Sequence, residues 1–407
     1  MPPETKKILI VGGGFGGISA ARALAAERLK NLAITLVSDK PHFEYYPALY
    51  RLLTEGAPRE ICIPLAELSK KNGVAIVEDR IVRIGAQEGF SEGASGTRYA
   101  FDYLILALGS ETAYFDIPGL EEHSFGFKSL SDALRLKRHI QEKFAESRRE
   151  APEEKTPTMH FVVIGGGPNG VELAGELAVY TKMLAETMRV DPSLVTIDLI
   201  EAASRLVPSL PARFSARIER RLRALGVNIF LNRKVIKEEV ENVFMKDMRL
   251  ETETVIWTAG ITPNRLYRAT RDFTFDLKGR VSVNEHLQAR GLTHIFVIGD
   301  GASTPHSGMA QTAIRDGTCA GKNIARLISG RPIGIYKPKK PFYSIPVGTP
   351  WAATLMGPIA VYGGVGWVFR QLADLGFFMS MLPVGKAIKA FRGKKMSCEA
   401  PSPISKK

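Results

Sequence analysis

The residues of this chain best suited to chemistry are six glycines in two matching sets. Gly12, Gly14 and Gly17 stand at Gly-x-Gly-x-x-Gly spacing, and Gly165, Gly167 and Gly170 repeat it 153 residues later. Such a turn brings the backbone close to a pyrophosphate, and the free N–H groups and positive dipole end of the helix that follows hold it. Before the first turn, Lys7 to Val11 is a short apolar run with β-branched residues. Beyond the turn, Ile18, Ala21, Leu24 and Ala25 recur at helical spacing. The second copy has the same order, His160-Phe-Val-Val-Ile before the turn and Val171-Glu172-Leu-Ala-Gly-Glu176 after it. One glycine turn alone is often only a turn; two, each between a strand and a helix, point to two dinucleotide sites.

The strand after each copy should end in the group that meets the ribose. Ala33 to Val37 runs into Ser38-Asp39, so Asp39 is assigned there, one step past the strand end. Val195 to Ile200 runs into Glu201. A carboxylate at that place accepts from both ribose hydroxyls and repels a 2′-phosphate, which favours NADH over NADPH. Two more apolar strands end in small residues at Gly109 and at Gly260, where the chain crosses between domains. A third ends in Gly299-Asp300-Gly301, where Asp300 can accept from the ribityl hydroxyls of a flavin.

On these residues the chain resembles the two-dinucleotide-binding flavoproteins, and more closely the type II NADH:quinone oxidoreductases, over roughly residues 5–390. Further matches are Phe43-Glu44-Tyr45-Tyr46-Pro47, Phe127-Lys128-Ser129-Leu-Ser-Asp132, Glu172 with Glu176, and Ala310-Gln311-Thr-Ala313. The resemblance implies FAD on Gly12, Gly14, Gly17, Asp39, Pro47 and Asp300, with Gly109 and Ala310 counted among the cofactor-binding residues. It implies NADH on Gly165, Gly167, Gly170, Glu201 and the Gly260 turn. It also implies two catalytic residues: Glu172, tied to proton movement and nicotinamide contact, and Gln311, at the quinone headgroup. Otherwise Glu172 is a helix N-terminal acid favoured by the dipole, and Glu176 lines the same helix face. The chain departs from the pattern at Arg315, where a second Gln is expected. A guanidinium accepts no hydrogen bond and adds a fixed charge, so it either alters the choice of acceptor or pairs silently with Asp316 or Glu172.

Cys62, Cys319 and Cys398 fit no metal or Cys-x-x-Cys spacing, so free thiols, a reducing compartment and no structural disulfide are expected. No cysteine pair follows the first glycine turn, which argues against a disulfide-reductase mechanism, and no ligand cluster suggests a metal.

The chain has 407 residues, 45% of them hydrophobic, with a formal charge of +13. That size and balance exclude a disordered or disulfide-stapled protein and suit two to three domains. From 331 to 407 there are 12 Lys+Arg against Asp374 and Glu399, a balance of +10 that leaves +3 for the rest. Residues 341–369 carry no charge, but Pro and Gly divide them into pieces too short to span a bilayer. A β-hairpin over residues 351–362 and a helix from Trp367 to Leu382 are expected, followed by Lys386, Lys389, Arg392, Lys394 and Lys395. That arrangement over 367–395 suits an anionic membrane surface; a packed helix or a dimer surface are the alternatives. Nucleic acid is not expected. Glycines interrupt the N-terminal apolar run after four residues, so a signal peptide is not expected either.

The expected fold is α/β, with two Rossmann-like dinucleotide-binding domains (FAD and NADH) and a C-terminal membrane-associating region. The divisions are 1–112 (FAD, first part), 113–256 (NADH), 257–336 (FAD, second part) and 337–407. The expected activity is non-proton-pumping electron transfer from NADH through FAD to a membrane quinone, by a homodimer peripheral to the cytoplasmic face of the cell membrane. An NADH-dependent reductase of a soluble carrier such as ferredoxin, or a non-catalytic NADH-responsive flavoprotein, are the other readings.

Overall fold

A computed structural model describes residues 4–54, 61–69, 73–148 and 158–392. Strands β1 (Lys6–Val11), β2 (Leu32–Ser38), β3 (Val74–Glu78) and β4 (Tyr103–Leu106) pair in parallel. Ile8, Leu9 and Ile10 are all buried, as befits a central strand covered on both faces. Each such aliphatic side chain contributes about 1.5–3 kcal/mol by leaving water. Helix α1 (Phe15–Ala26) follows the first glycine turn, and the short helix α2 (Arg51–Thr54) lies beyond β2.

The second parallel sheet is built from β5 (Phe125–Gly126), β6 (His160–Ile164), β7 (Thr196–Ile200), β8 (Val227–Phe230) and β9 (Thr254–Trp257), in the order β5-β9-β6-β7-β8. Between β5 and β6, α3 (Leu130–Glu146) starts on a capping box: Asp132 N–H donates to Ser129 Oγ, and Ser129 N–H donates back to Asp132. Helix α4 (Pro168–Met188) follows the second glycine turn, with Pro168 in its first turn, where the missing N–H costs nothing. Strand β10 (Ile295–Val297) returns to the first sheet beside β4, giving β10-β4-β1-β2-β3. Helix α5 (Ala310–Ile328) then packs on α1 so tightly that a Cβ at Gly317 would overlap the Gly16 carbonyl oxygen.

The C-terminal part is an antiparallel meander, β11 (Tyr343–Pro346), β12 (Ala352–Met356) and β13 (Ile359–Tyr362), followed by α6 (Gly363–Met381) and α7 (Val384–Phe391). The expected hairpin is β12–β13. The added strand β11 is an edge strand ending in Pro346, and proline hides a strand from pattern reading. The expected helix begins four residues earlier than Trp367. The glycines that read as breakers serve as a corner: Gly363 takes φ +76°, and Gly366 lets the helix press onto β12, where a Cβ would overlap the Ala352 carbonyl oxygen.

Helix α6 is amphipathic in an unusual sense. Its charged residues, Arg370 and Asp374, are buried, while Val365, Val368, Phe369, Leu372 and Met379 are exposed. Its C-terminus is tied to α1, where Arg22 donates to the carbonyl oxygens of Met381 (2.5 Å) and Ser380 (2.8 Å). In α7, Lys386 pairs with Glu67 at 2.9 Å. Lys394, Lys395 and Cys398, and residues 149–157 of the charged segment before β6, lie outside the described residues. One expectation is corrected: Cys62 is disulfide-bonded, while Cys319 is free.

Candidate functional site

The two glycine turns are built alike. Gly12 and Gly165 both take positive φ, at +110° and +113°. Their N–H groups donate to Val37 O and Ile200 O on the neighbouring strands, each at 2.8 Å. A Cβ at Gly17 would overlap the Gly12 carbonyl oxygen, and one at Gly170 the Gly165 carbonyl oxygen. By contrast, Gly14 and Gly167 face open space. Each turn is therefore locked behind and open in front, the shape in which backbone amides can approach a pyrophosphate.

The matching hydrogen bonds also align the strand ends. Glu201 follows Ile200 as Ser38 follows Val37, so Ser38 occupies the first site's acid position and Asp39 lies one residue further. Glu201 accepts from Gly166 N–H at 2.6 Å and Ala203 N–H at 2.7 Å, which hold its carboxylate against the second turn. In the first site Ser38 Oγ similarly accepts from Lys40 N–H, at 3.3 Å, while Asp39 lines the cavity in front of the turn.

That cavity, of about 870 Å³, is where the candidate residues converge. Gly12, Gly14, Asp39, Pro47, Gly109 and Asp300 line it from the first sheet and its loops. Pro168, Asn169 and Glu172 reach it from the start of α4, Thr258 and Gly260 from beyond β9. Ala310 and Gln311 bring the α5 N-terminus, and Arg370, Asp374 and Phe377 bring α6. Gly17, Gly165, Gly167, Gly170 and Glu201 are not among its lining residues. Asp300 accepts from Ser110 Oγ at 2.5 Å, and Ser110 also receives a hydrogen bond from Lys128. Burial lowers the pKa of the Lys128 ammonium, opposed by the charges of Asp300 and Glu111. The first turn and the polar Asp300–Ser110–Lys128 chain fit a flavin dinucleotide, and the second turn with Glu201 fits NADH.

Glu172 faces the cavity with Arg370 Nη1 at 3.9 Å. Burial raises its pKa to about 8; Arg370 and Arg51 lower it and Asp374 raises it. At neutral pH the carboxyl therefore largely keeps its proton. Glu176, one turn on, is buried away from the cavity and accepts from Thr54 and from Thr349 Oγ1 (3.1 Å), joining α4 to α2 and to the loop after β11.

Gln311 and Arg315 act on one segment. Gln311 Nε2 donates to Phe342 O at 3.0 Å and its Oε1 accepts from Phe342 N–H at 3.4 Å, while Arg315 Nη1 donates to Lys339 O at 3.1 Å. The Arg at 315 thus has a structural partner, and Glu172 has a different guanidinium. Cys319 has its thiol pKa raised by burial and by Asp316, the opposite of an activated nucleophile. Among the described residues no group of His, Cys, Asp and Glu could hold a metal.

Sequence reading missed Arg51, Arg370 and Asp374. Arg370 donates to Ser344 O (3.0 Å) and Pro47 O, and its Nε lies 3.1 Å from Asp374 Oδ1. Asp374 also accepts from Tyr45 Oη and Arg51 Nη2, each at 2.7 Å. One signal was present. Arg370 and Asp374 are the only charges between Lys340 and Lys386, and they stand one helical turn apart.

Residues 6–317 match the family model described as pyridine nucleotide-disulphide oxidoreductase. A type II NADH:quinone oxidoreductase of Mycobacterium tuberculosis, Ndh, is 29% identical over 401 residues, covering 93% of this chain and 85% of its own. One from Staphylococcus saprophyticus is 26% identical, covering 82% of this chain and 85% of its own. The structure of NDH2 from Plasmodium falciparum in complex with NADH superposes with a TM-score of 0.85 at 18% identity, covering 96% of this chain and 97% of its own. The sulfide:quinone oxidoreductase of Aquifex aeolicus does so at 0.77 and 20%, covering 96% and 92%.

Proposed function

Because the chain belongs to the pyridine nucleotide-disulphide oxidoreductase family, we propose that it is a non-proton-pumping NADH:quinone oxidoreductase. The observation that carries this reading is the single cavity on which the first glycine turn, the start of α4 after the second, the α5 N-terminus and α6 all open. Two dinucleotides held on such turns would bring their reactive ends together there, leaving the side toward α5 and α6 for an acceptor. FAD held there would supply the redox chemistry between NADH and the acceptor. The protein's part is placement and charge. Gly12, Gly14, Gly17, Asp39, Pro47, Gly109, Asp300 and Ala310 hold the flavin dinucleotide. Gly165, Gly167, Gly170, Glu201 and Gly260 hold NADH. Glu172 holds a proton at the meeting point, and Gln311 shapes the acceptor side by fixing Phe342.

The acceptor is a membrane quinone, and the enzyme is peripheral to the cytoplasmic face of the membrane. No helix among the described residues is long and apolar enough to cross a membrane. What supports a surface seat is the outward row of Val365, Val368, Phe369, Leu372 and Met379 on α6, continued by Val384 and Ile388 on α7. Lys389 lies on the same short helix. Apolar burial and anionic headgroups add at such a surface. The homodimer is part of the same reading and is checked by sedimentation of the FAD-loaded protein. Steady-state NADH oxidation tests the activity: stimulation by a short-chain quinone supports it, and turnover only with an added carrier protein points instead to a soluble reductase.

A further inference from the structure

We propose that Arg370 is a positioning residue that sets when the Glu172 carboxyl releases its proton, and that Asp374 opposes it, so that the docking of α6 and the protonation of the cavity are one device. The proposal rests on reading the cavity as the meeting place of NADH, FAD and the acceptor.

The geometry is specific. Glu172 belongs to the first turns of α4 and faces the cavity; Arg370 belongs to α6, nearly two hundred residues later, and approaches it from the other side. Arg370 is 6% exposed, and its guanidinium is held by Ser344 O, Pro47 O and Asp374 while Nη1 lies 3.9 Å from Glu172 Oε1. Asp374 is fixed in turn by Tyr45 Oη and Arg51 Nη2. A planar guanidinium gripped this way has little freedom to move, so its charge acts on Glu172 from a fixed place.

The charged and titratable groups around Glu172 and its guanidinium neighbour Arg370 come from three elements. Helix α6 gives Arg370 and Asp374, and α2 gives Arg51, with Tyr50 just before it. Tyr45 completes the set from the segment after β2. Burial raises both tyrosines above their ordinary range, so they stay neutral. That leaves burial and Asp374 keeping the proton on Glu172, and Arg370 and Arg51 drawing it off.

The reaction gives this balance a use. NADH delivers two electrons and one proton as hydride, and a quinone reduced to quinol takes two electrons and two protons. The second proton comes from water by way of a group at the cavity. A carboxyl that gives up its proton near neutral pH and regains it from solvent can pass that proton on. Without Arg370 the same carboxyl would hold its proton too tightly. Asp374 keeps Arg370 from pulling the proton off altogether.

The test is the midpoint of Glu172 protonation in the FAD-loaded enzyme, read by difference infrared spectroscopy of the carboxyl band, which Glu172→Gln identifies by removing it. Removing a charge within about 4–6 Å shifts such a midpoint by roughly one unit or more. We expect Arg370→Met to move it up by about one pH unit or more, Asp374→Asn to move it down, and Arg370→Lys to leave it near the wild-type position. If Asp374→Asn does not fold, the contrast between Arg370→Met and Arg370→Lys still decides. An Arg370→Met midpoint that stays in place or falls, or an equal shift in Arg370→Lys, would overturn the proposal. The band is read without NADH or quinone, so failure of the enzyme to reduce quinones is a separate outcome that touches only the functional reading.

Discussion

Arg51 and Asp374 meet at 2.7 Å although 323 residues of sequence separate them, and both side chains are buried. Their contact binds α6 to the loop region of the first sheet, so the C-terminal helix is a wall of the site as well as an exposed apolar surface. Asp374→Ala takes away the carboxylate that Arg51 and Arg370 share. Stranding buried charge in this way costs about 3–5 kcal/mol. The urea midpoint of the FAD-loaded protein should fall accordingly, and an unchanged midpoint would mean that the ion pair is dispensable.

The locked backs of the two glycine turns allow the two proposed cofactor sites to be tested separately. A methyl at Gly17 would overlap the Gly12 carbonyl oxygen, and one at Gly170 the Gly165 carbonyl oxygen. Gly17→Ala should therefore purify without its yellow chromophore. Gly170→Ala should keep it but lose NADH binding, measured as the NADH concentration needed to bleach the flavin. Loss of flavin in both variants, or in neither, would contradict the division of the two sites.

What the sequence made legible was the chemistry that local pattern imposes. A dinucleotide turn needs glycines at set positions between a strand and a helix, so both cradles, Glu201 and Asp300 stand out in the text of the chain. Asp39 was harder, because Ser38 fills the position that aligns with Glu201. Arg51, Arg370 and Asp374 were not legible as a group, since their contact depends on how α6 packs across the first sheet. The apolar sequence of α6 suggested an interfacial helix, and nothing in its composition says that its two charges point inward. Gln311 was found from the resemblance, but its bonds to Phe342 depend on a segment thirty-one residues away.

Glu201 should decide which nicotinamide cofactor is used. Its carboxylate is held by the Gly166 and Ala203 N–H groups against the second turn, where we propose that the adenosine ribose of NADH binds. Glu201→Ser should narrow the ratio of kcat/KM for NADH over NADPH by roughly tenfold or more, about 1.4 kcal/mol. Equal use of both nucleotides by the unaltered enzyme would refute the role.

Membrane binding is best tested on the outer face of α6, because deleting the helix would also remove Arg370 and Asp374 from the cavity. Val368 and Leu372 are exposed and one turn apart. Val368→Glu combined with Leu372→Glu should release the protein from anionic vesicles in a flotation assay while its bound flavin remains. Continued flotation of that variant would place the membrane contact elsewhere.

The most direct test of the central claim is an anaerobic single turnover of the FAD-loaded protein. One equivalent of NADH should bleach the flavin, and a short-chain quinone added next should restore the oxidised spectrum with formation of one quinol per flavin. A flavin that bleaches and then stays reduced in the presence of quinone would contradict an NADH:quinone oxidoreductase.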